Sequence, residues 1–276
     1  MDSAPGPTPT GSHPTGIDAY RPAEIAWRIE TAGVAKAQLG LGPLAALGSL
    51  AGVFIGFGAL FYLAVLVGAD AAHGPTRLAA SVAFSLGLIL VIVGGAELFT
   101  GNALLVMARV DGLISTRALL RNWGVIYVAN FAGALALCLL VWLAGQHDMA
   151  LGGVAARITM AKFQLSGTEL LARGILCNAL VCLAVWLSFA AHDVAGKILA
   201  IIFPISAFVA LGLEHSVANM FLLPFGLLAG APGGVADIAR NLAWVSLGNV
   251  IGGAGGVALA YWAAYRAGAN GRPPAT

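Results

Sequence analysis

The chain has 276 residues, of which 59% are hydrophobic and only 9% charged, with a formal net charge of +2. A soluble domain carries roughly 25% charged residues, so the composition excludes a soluble globular protein and identifies an integral membrane protein, and the small net charge gives no electrostatic footprint for nucleic acid. The three cysteines, Cys138, Cys177 and Cys182, sit inside apolar runs without metal-ligand spacing and read as small buried hydrophobes.

Residues 1–20 are rich in Pro, Gly, Ser and Thr and lack a basic start ahead of an apolar core, so they read as a disordered tail and not a signal peptide. Residues 1–35 as a whole form a disordered or amphipathic segment. The charge-free run 37–69 is the first expected span. Runs 78–96 and 98–108, divided by Glu97, form a second span broken near its middle. Runs 122–147 and 174–192 are the third and fourth. Runs 198–213 and 215–236, divided by Glu214, form a broken fifth, because 198–213 alone would rise only about 24 Å against a hydrocarbon core of about 30 Å. Run 241–265 is the sixth, and 267–276 a C-terminal tail. Separate re-entrant hairpins are the alternative reading of the broken pieces.

Six spans with a cytoplasmic N-terminus put Arg21, Arg28, Lys36, Arg109, Arg117, Arg121, Lys197, Arg266 and Arg272 inside, against Arg77, Arg157, Lys162, Arg173 and Arg240 outside. This excess predicts both termini in the cytoplasm.

The halves match at an offset of about 120 residues. GALFYLAV (58–65) aligns with NALVCLAV (178–185), which sets Asn178 opposite Gly58, and RNWGVIYVANFAG (121–133) aligns with RNLAWVSLGNVIG (240–252). Between them lie ELFTGN (97–102) and EHSVAN (214–219), each a Glu, four residues and an Asn. Three spans per repeat is an odd number, so the second repeat, about 157–266, lies upside down relative to the first, about 36–145. Inverted repeats with interrupted helices in matching positions mark a substrate pathway near the bilayer midplane.

Each break frees backbone groups that only protein or a wet cavity can satisfy. The downstream half-helices begin near Gly101 and Val217 with unpaired N–H groups that favour an anion. Glu97 and Glu214 are expected to accept hydrogen bonds from the loop backbone and hold the loops in shape, a direct role in proton transfer being the alternative. Charged and amide groups at such depth are costly unless paired or functional, which singles out Glu97, Asn102, Asn178, Glu214, His215 and Asn219. Gly248, Gly252 and Gly256, spaced by four, suggest one helix face for close packing. No motif for nucleotide, metal or nucleophilic chemistry appears, so neither an enzyme nor a cofactor is indicated. An aquaporin-type channel for a neutral solute is the rival class, but neither break carries Asn-Pro-Ala.

FSLGLILVIVGGAELFTGN (84–102), ILCNALVCLAVW (175–186), GLEHSVANMF (212–221) and WVSLGNVIGG (244–253) resemble signatures of the formate/nitrite transporter family, over roughly residues 36–265. The resemblance implies an all-α homopentamer with an aquaporin-like protomer, six transmembrane helices and one pore each. It implies passage of small monovalent weak-acid anions: formate or nitrite, or acetate, lactate or hydrosulfide. Carried across, the central histidine falls on His215, the omega-loop threonine on Thr100, the pore asparagine on Asn178 and the vestibule lysine on Lys162. The hydrophobic constrictions fall on Phe84, Leu88, Leu98, Val181 and Phe208. The implied mechanism gathers the anion at a cationic vestibule and passes it as the neutral acid. The proton comes from water or from His215, whose reference pKa of about 6.5 suits exchange; plain anion conduction with His215 as hydrogen-bond donor is the rival.

Overall fold

The computed structural model describes residues 19–70 and 72–267. The expected tails, 1–18 and 268–276 with Arg272, lie outside the described residues. The described chain is helical: α1 (Pro22–Ala37), α2 (Leu41–Val65), α3 (Gly74–Phe84), α4 (Leu86–Gly94), a tight 3₁₀ segment Gly101–Leu105 running into α5 (Val106–Val110), α6 (Thr116–Leu143), α7 (Ala150–Phe163), α8 (Gly167–Ala190), α9 (Val194–Ala210), α10 (Ser216–Leu228), α11 (Val235–Val250), a π-helical stretch Ile251–Ala258, and α12 (Leu259–Tyr265).

Five helices are long and apolar enough to cross a membrane: Leu41–Val65, Gly74–Gly94, Thr116–Leu143, Gly167–Ala190 and Val235–Tyr265. The segment ahead of Glu97 is therefore longer than the charge-free run suggested. Its helix begins at Gly74, with Pro75 in the first turn, where a missing N–H costs nothing, and Gly74–Gly94 reaches spanning length by itself. Arg77 sits within this helix, which is why counting charge-free residues cut it short. The Gly101–Val110, Val194–Ala210 and Ser216–Leu228 helices are shorter.

Both breaks open with a left-handed glycine. Gly95 has φ 81° and Gly212 φ 66°, and each stands two residues before its glutamate. A left-handed residue ends a helix without the penalty a Cβ would bring. Ala96 N–H then donates to Val91 O at 2.9 Å, and Leu213 N–H to Phe208 O at 3.0 Å. Where helices restart, side chains cap the free N–H groups: Ser115 accepts from Ala118 N–H, Ser166 from Glu169 N–H, Asp193 from Gly196 N–H and His215 from Ala218 N–H.

The expected glycine face holds for two of its three members. A Cβ on Gly252 would lie 2.0 Å from Ile175 O, and one on Gly248 2.4 Å from Leu171 O, so both allow α11 and its continuation to touch α8. Gly256 makes no such approach. It lies within the π-helical stretch, whose wider turn breaks the four-residue spacing.

The first and last described helices meet in a buried cluster. Arg266 donates through Nε to Glu30 Oε2 at 2.7 Å, its Nη2 stands 3.8 Å from Asp111 Oδ2, and Trp262 Nε1 donates to Asp111 Oδ1. Glu30 and Arg266 are each 1% exposed. Burial, the largest influence, pushes the Glu30 carboxyl from the usual 4.5 up to about 7, Arg266 opposing and Asp111 adding. A raised folded-state value means that this component of stability is complete below about 4.5 and is lost as pH rises through about 7. Glu30→Gln removes the titration, so the unfolding temperature of the detergent-solubilised variant is expected to be flatter than the parent's across that window. A parent and variant with parallel pH profiles would show that Glu30 does not titrate there.

Candidate functional site

One asparagine from the last long helix of each half holds each break. Asn130 Nδ2 donates to Gly48 O at 2.7 Å and to Glu97 O at 3.0 Å, and its Oδ1 accepts from Phe99 N–H at 2.9 Å. Asn249 repeats this: Nδ2 to Gly174 O at 2.8 Å and to Glu214 O at 3.0 Å, with Oδ1 accepting from Ser216 N–H at 2.9 Å. Both side chains are fully buried. The carboxamides, and not the glutamates, staple the loops.

The glutamate carboxylates face elsewhere. Glu97 pairs with Lys36 at 2.8 Å and accepts from Asn102 at 2.8 Å; Glu214 pairs with Lys162 at 2.7 Å and accepts from Asn219 at 2.7 Å. Asn102 donates also to Asn122, and Asn219 to Asn241. The first network is the fuller one, since Lys36 donates to Asn102 Oδ1 at 3.1 Å and Asn122 Nδ2 to Lys36 O at 3.2 Å. In the second, Asn219 Oδ1 and Asn241 Nδ2 have no hydrogen-bond partner among the described residues.

These matched roles correct the register of the repeat. Gly48 answers to Gly174 and Lys36 to Lys162, 126 residues apart, whereas Glu97 answers to Glu214 at 117 and Asn130 to Asn249 at 119. The counterpart of Asn178 is therefore Gly52, not Gly58. A Cβ on Gly52 would lie 2.0 Å from Asn130 O, while Asn178 Nδ2 donates to Asn249 O at 2.6 Å. The match of GALFYLAV to NALVCLAV arises from shared apolar composition and a loop-length difference that a single offset hides.

Two cavities lie at opposite ends of the helices. The first, about 340 Å³, is lined by Lys36, Leu88, Glu97, Leu98, Asn102 and Lys197 among others. The second, about 210 Å³, is lined by Phe84, Lys162, Phe208, Glu214, His215 and Asn219 among others. Along α3 and α4 the lining passes from the second (Phe84) to the first (Leu88, Val91); along α9 it passes from the first (Lys197) to the second (Phe208). The equivalent lysines thus stand at opposite ends. Between the cavities, Phe84 and Phe208 meet edge to face with centroids 5.6 Å apart, and Leu88 and Leu98, each 2% exposed, follow on the first side.

His215 sits at this septum. Its ring stacks on Phe208 at 5.7 Å. Its Nδ1 accepts from Ala218 N–H at 3.0 Å, capping α10, which assigns the ring proton to Nε2; Nε2 lies 2.9 Å from Thr100 Oγ1. Thr100 and Val181, both 1% exposed, line neither cavity. Asn178 lines neither as well: it donates to Thr100 O at 3.2 Å as well as to Asn249 O, and its Oδ1 is left without a partner among the described residues. It places the Thr100 loop. Lys36, Asn122, Asn130, Asn241 and Asn249 complete the site, and the two Arg-Asn motifs in the sequence contain all four asparagines.

Two cavities, an apolar septum and a polar break on each side define a membrane channel or transporter. A family model described as "Formate/nitrite transporter" matches residues 23–263. The "Formate channel FocA" of Escherichia coli K12 is 36% identical over 272 residues, covering 90% of this chain and 95% of that protein. The "Uncharacterized transporter YrhG" of Bacillus subtilis is 42% identical over 251 residues, covering 89% and 93%. Among solved structures, an "FNT family ion channel" superposes with a TM-score of 0.82 at 29% identity, over 87% of this chain and 98% of that one. A "Pentameric formate channel with formate bound" gives 0.75 at 36% identity, over 82% and 97%. The chain belongs to the formate/nitrite transporter family, a family of transporters and channels and not of enzymes.

Replacing Asn249 by Ala strands one break carbonyl, Glu214 O, and the Ser216 N–H, and removes the tie to Gly174 O on α8. Each stranded group costs about 1–3 kcal/mol, so Asn249→Ala is expected to destabilise by about 3 kcal/mol or more, and Asn130→Ala by a similar amount. Thermal unfolding in detergent measures this; near-parental stability of either variant would remove the asparagines from their bracing role.

Proposed function

We propose that the chain passes a small monovalent weak-acid anion, formate first and nitrite second, together with a proton. Residues 36–266 form the channel unit of a homopentamer in a bacterial-type inner membrane, with both termini cytoplasmic. The relatives named as formate channels, one of them pentameric with formate bound, support the substrate and the assembly.

The observation that carries the reading is the neutral, capped His215 beside an apolar septum. Moving a bare anion past Phe84, Phe208, Leu88 and Leu98 costs many kcal/mol in lost hydration. The neutral acid avoids most of that cost. Free formic acid has a pKa of about 3–4, close to a side-chain carboxyl, so little of it is neutral at pH 7, but a surrounding of low polarity raises that value. The anion therefore takes its proton as it leaves the cavity water, crosses, and releases the proton beyond.

His215 has two available roles. As a neutral donor, Nε2–H bonds Thr100 Oγ1 and leaves the Thr100 hydroxyl hydrogen free to meet a passing carboxylate oxygen. As a proton relay, the ring must accept a proton at Nδ1 and give one from Nε2, which breaks the cap on Ala218 N–H. The occupied Nδ1 favours the donor role, with cavity water as the proton source.

His215→Asn tests this, because Asn caps a helix well and cannot exchange a proton. Formate-driven alkalinisation outside proteoliposomes is expected to persist within about threefold of the parent. Loss of alkalinisation with retained anion current would assign the proton to His215 instead. A parent that passes water or glycerol but no radiolabelled formate would replace the anion reading with a neutral-solute channel.

A further inference from the structure

The lysine expected to gather anions is already neutralised. Lys162 Nζ lies 2.7 Å from Glu214 Oε1, and Lys36 Nζ lies 2.8 Å from Glu97 Oε1. Each pair contributes no net charge to the cavity it lines. The remaining charged lining residues are all cations: Arg28 and Lys197 in the first cavity and Arg173 in the second. None of these three forms a close ion pair with a carboxylate among the described residues; Arg173 feels the exposed Glu169 carboxylate one turn before it on α8. Arg28 lays its guanidinium over the Tyr20 ring, 3.4 Å from its centroid, and Arg173 Nη1 donates to Gly212 O at 3.3 Å; both contacts hold the side chain in place and leave its charge intact. All three are half-buried at the cavity walls.

We propose that Arg28, Lys197 and Arg173 are the residues that gather the anion, two at one end of the pathway and one at the other, while Lys36 and Lys162 are structural partners of the break glutamates. The inference rests on the anion reading above. A fixed positive charge in a cleft raises the local anion concentration, and salt suppresses the effect. Two surplus charges at one end against one at the other make the two ends unequal: the apparent affinity for substrate is higher from the first cavity, with no difference in the septum itself. The placement also separates gathering from passage, since the side-chain hydrogen bonds of His215 go to Thr100 and Ala218 and that of Arg173 goes to Gly212 O.

The test uses the full-length protein in right-side-out and in inverted vesicles, with half-saturating formate concentration read from each side at about 0.01 M and about 1 M ionic strength, where the screening length falls from about 30 Å to about 3 Å. Arg173→Gln is expected to raise the half-saturating concentration about threefold at low salt when formate is offered to the second cavity. It should have no effect at high salt or from the first. The double variant Arg28→Gln with Lys197→Gln is expected to do the same from the first cavity, by a larger factor. Arg173→Lys restores the parent's value. An effect equal at both ionic strengths or from both sides, or no effect, overturns the proposal. A parent without formate flux overturns the function and this inference with it, and is distinguished by needing no variant.

Discussion

An interrupted helix inside a membrane leaves backbone carbonyls and N–H groups that lipid cannot hydrogen-bond. Here a single carboxamide answers that demand at each break, holding one break carbonyl and one break N–H and tying them to a carbonyl of a neighbouring continuous helix, at distances that agree between the halves within about 0.1 Å. The rest of the site depends on this. With the loop fixed by asparagine, the glutamate is free to turn its carboxylate toward a lysine, and the residues just after it, Leu98 and Thr100 in one half and His215 in the other, are delivered to the septum in fixed positions.

The repeat is accurate in its hydrogen-bonding skeleton and has diverged at the pathway itself. Leu98 occupies in the first break the place His215 holds in the second, and Gly52 the place of Asn178. One half contributes an apolar stop and the other an imidazole, and the two meet through Thr100. The networks behind them differ as well: the first is closed by Lys36 reaching Asn102, whereas the second keeps one amide oxygen and one amide N–H unused. A duplicated scaffold has thus been made chemically unequal without altering the bracing that keeps both breaks open.

Much of this was legible in the sequence. Low charge density, glutamates inside apolar runs and matched Glu-x₄-Asn motifs locate both breaks to within a residue or two of the helix restarts at Gly101 and Ser216. What stayed illegible has physical causes. Charge counting truncated the helix before Glu97 because Arg77 lies within it, near the end where a long side chain can reach polar surroundings. The stapling role went to the glutamates because charge draws attention at depth, although a carboxylate only accepts and the break carbonyl, Glu97 O or Glu214 O, required a donor. The glycine left-handed at each break, Gly95 or Gly212, stood two residues ahead of each glutamate and is the signal that would have fixed where the first half-helices end. The resemblance put Asn178 in the pore, yet it lines neither cavity, and its role in placing the Thr100 loop is visible only once Asn249 O and Thr100 O are seen around it.

The π-helical stretch Ile251–Ala258 has a consequence for the first and last described helices. A π turn takes one more residue per turn than an α turn, so the glycine-rich run sets the rotational phase of everything after it. Each residue in an α-helix advances the face by about 100°. Forcing the run into α geometry at its present length would wind it further and swing Trp262 and Arg266 away from Asp111 and Glu30, unlatching the first helix from the last. The wider turn of the eight-residue run, more than its side chains, therefore keys α12 to α1.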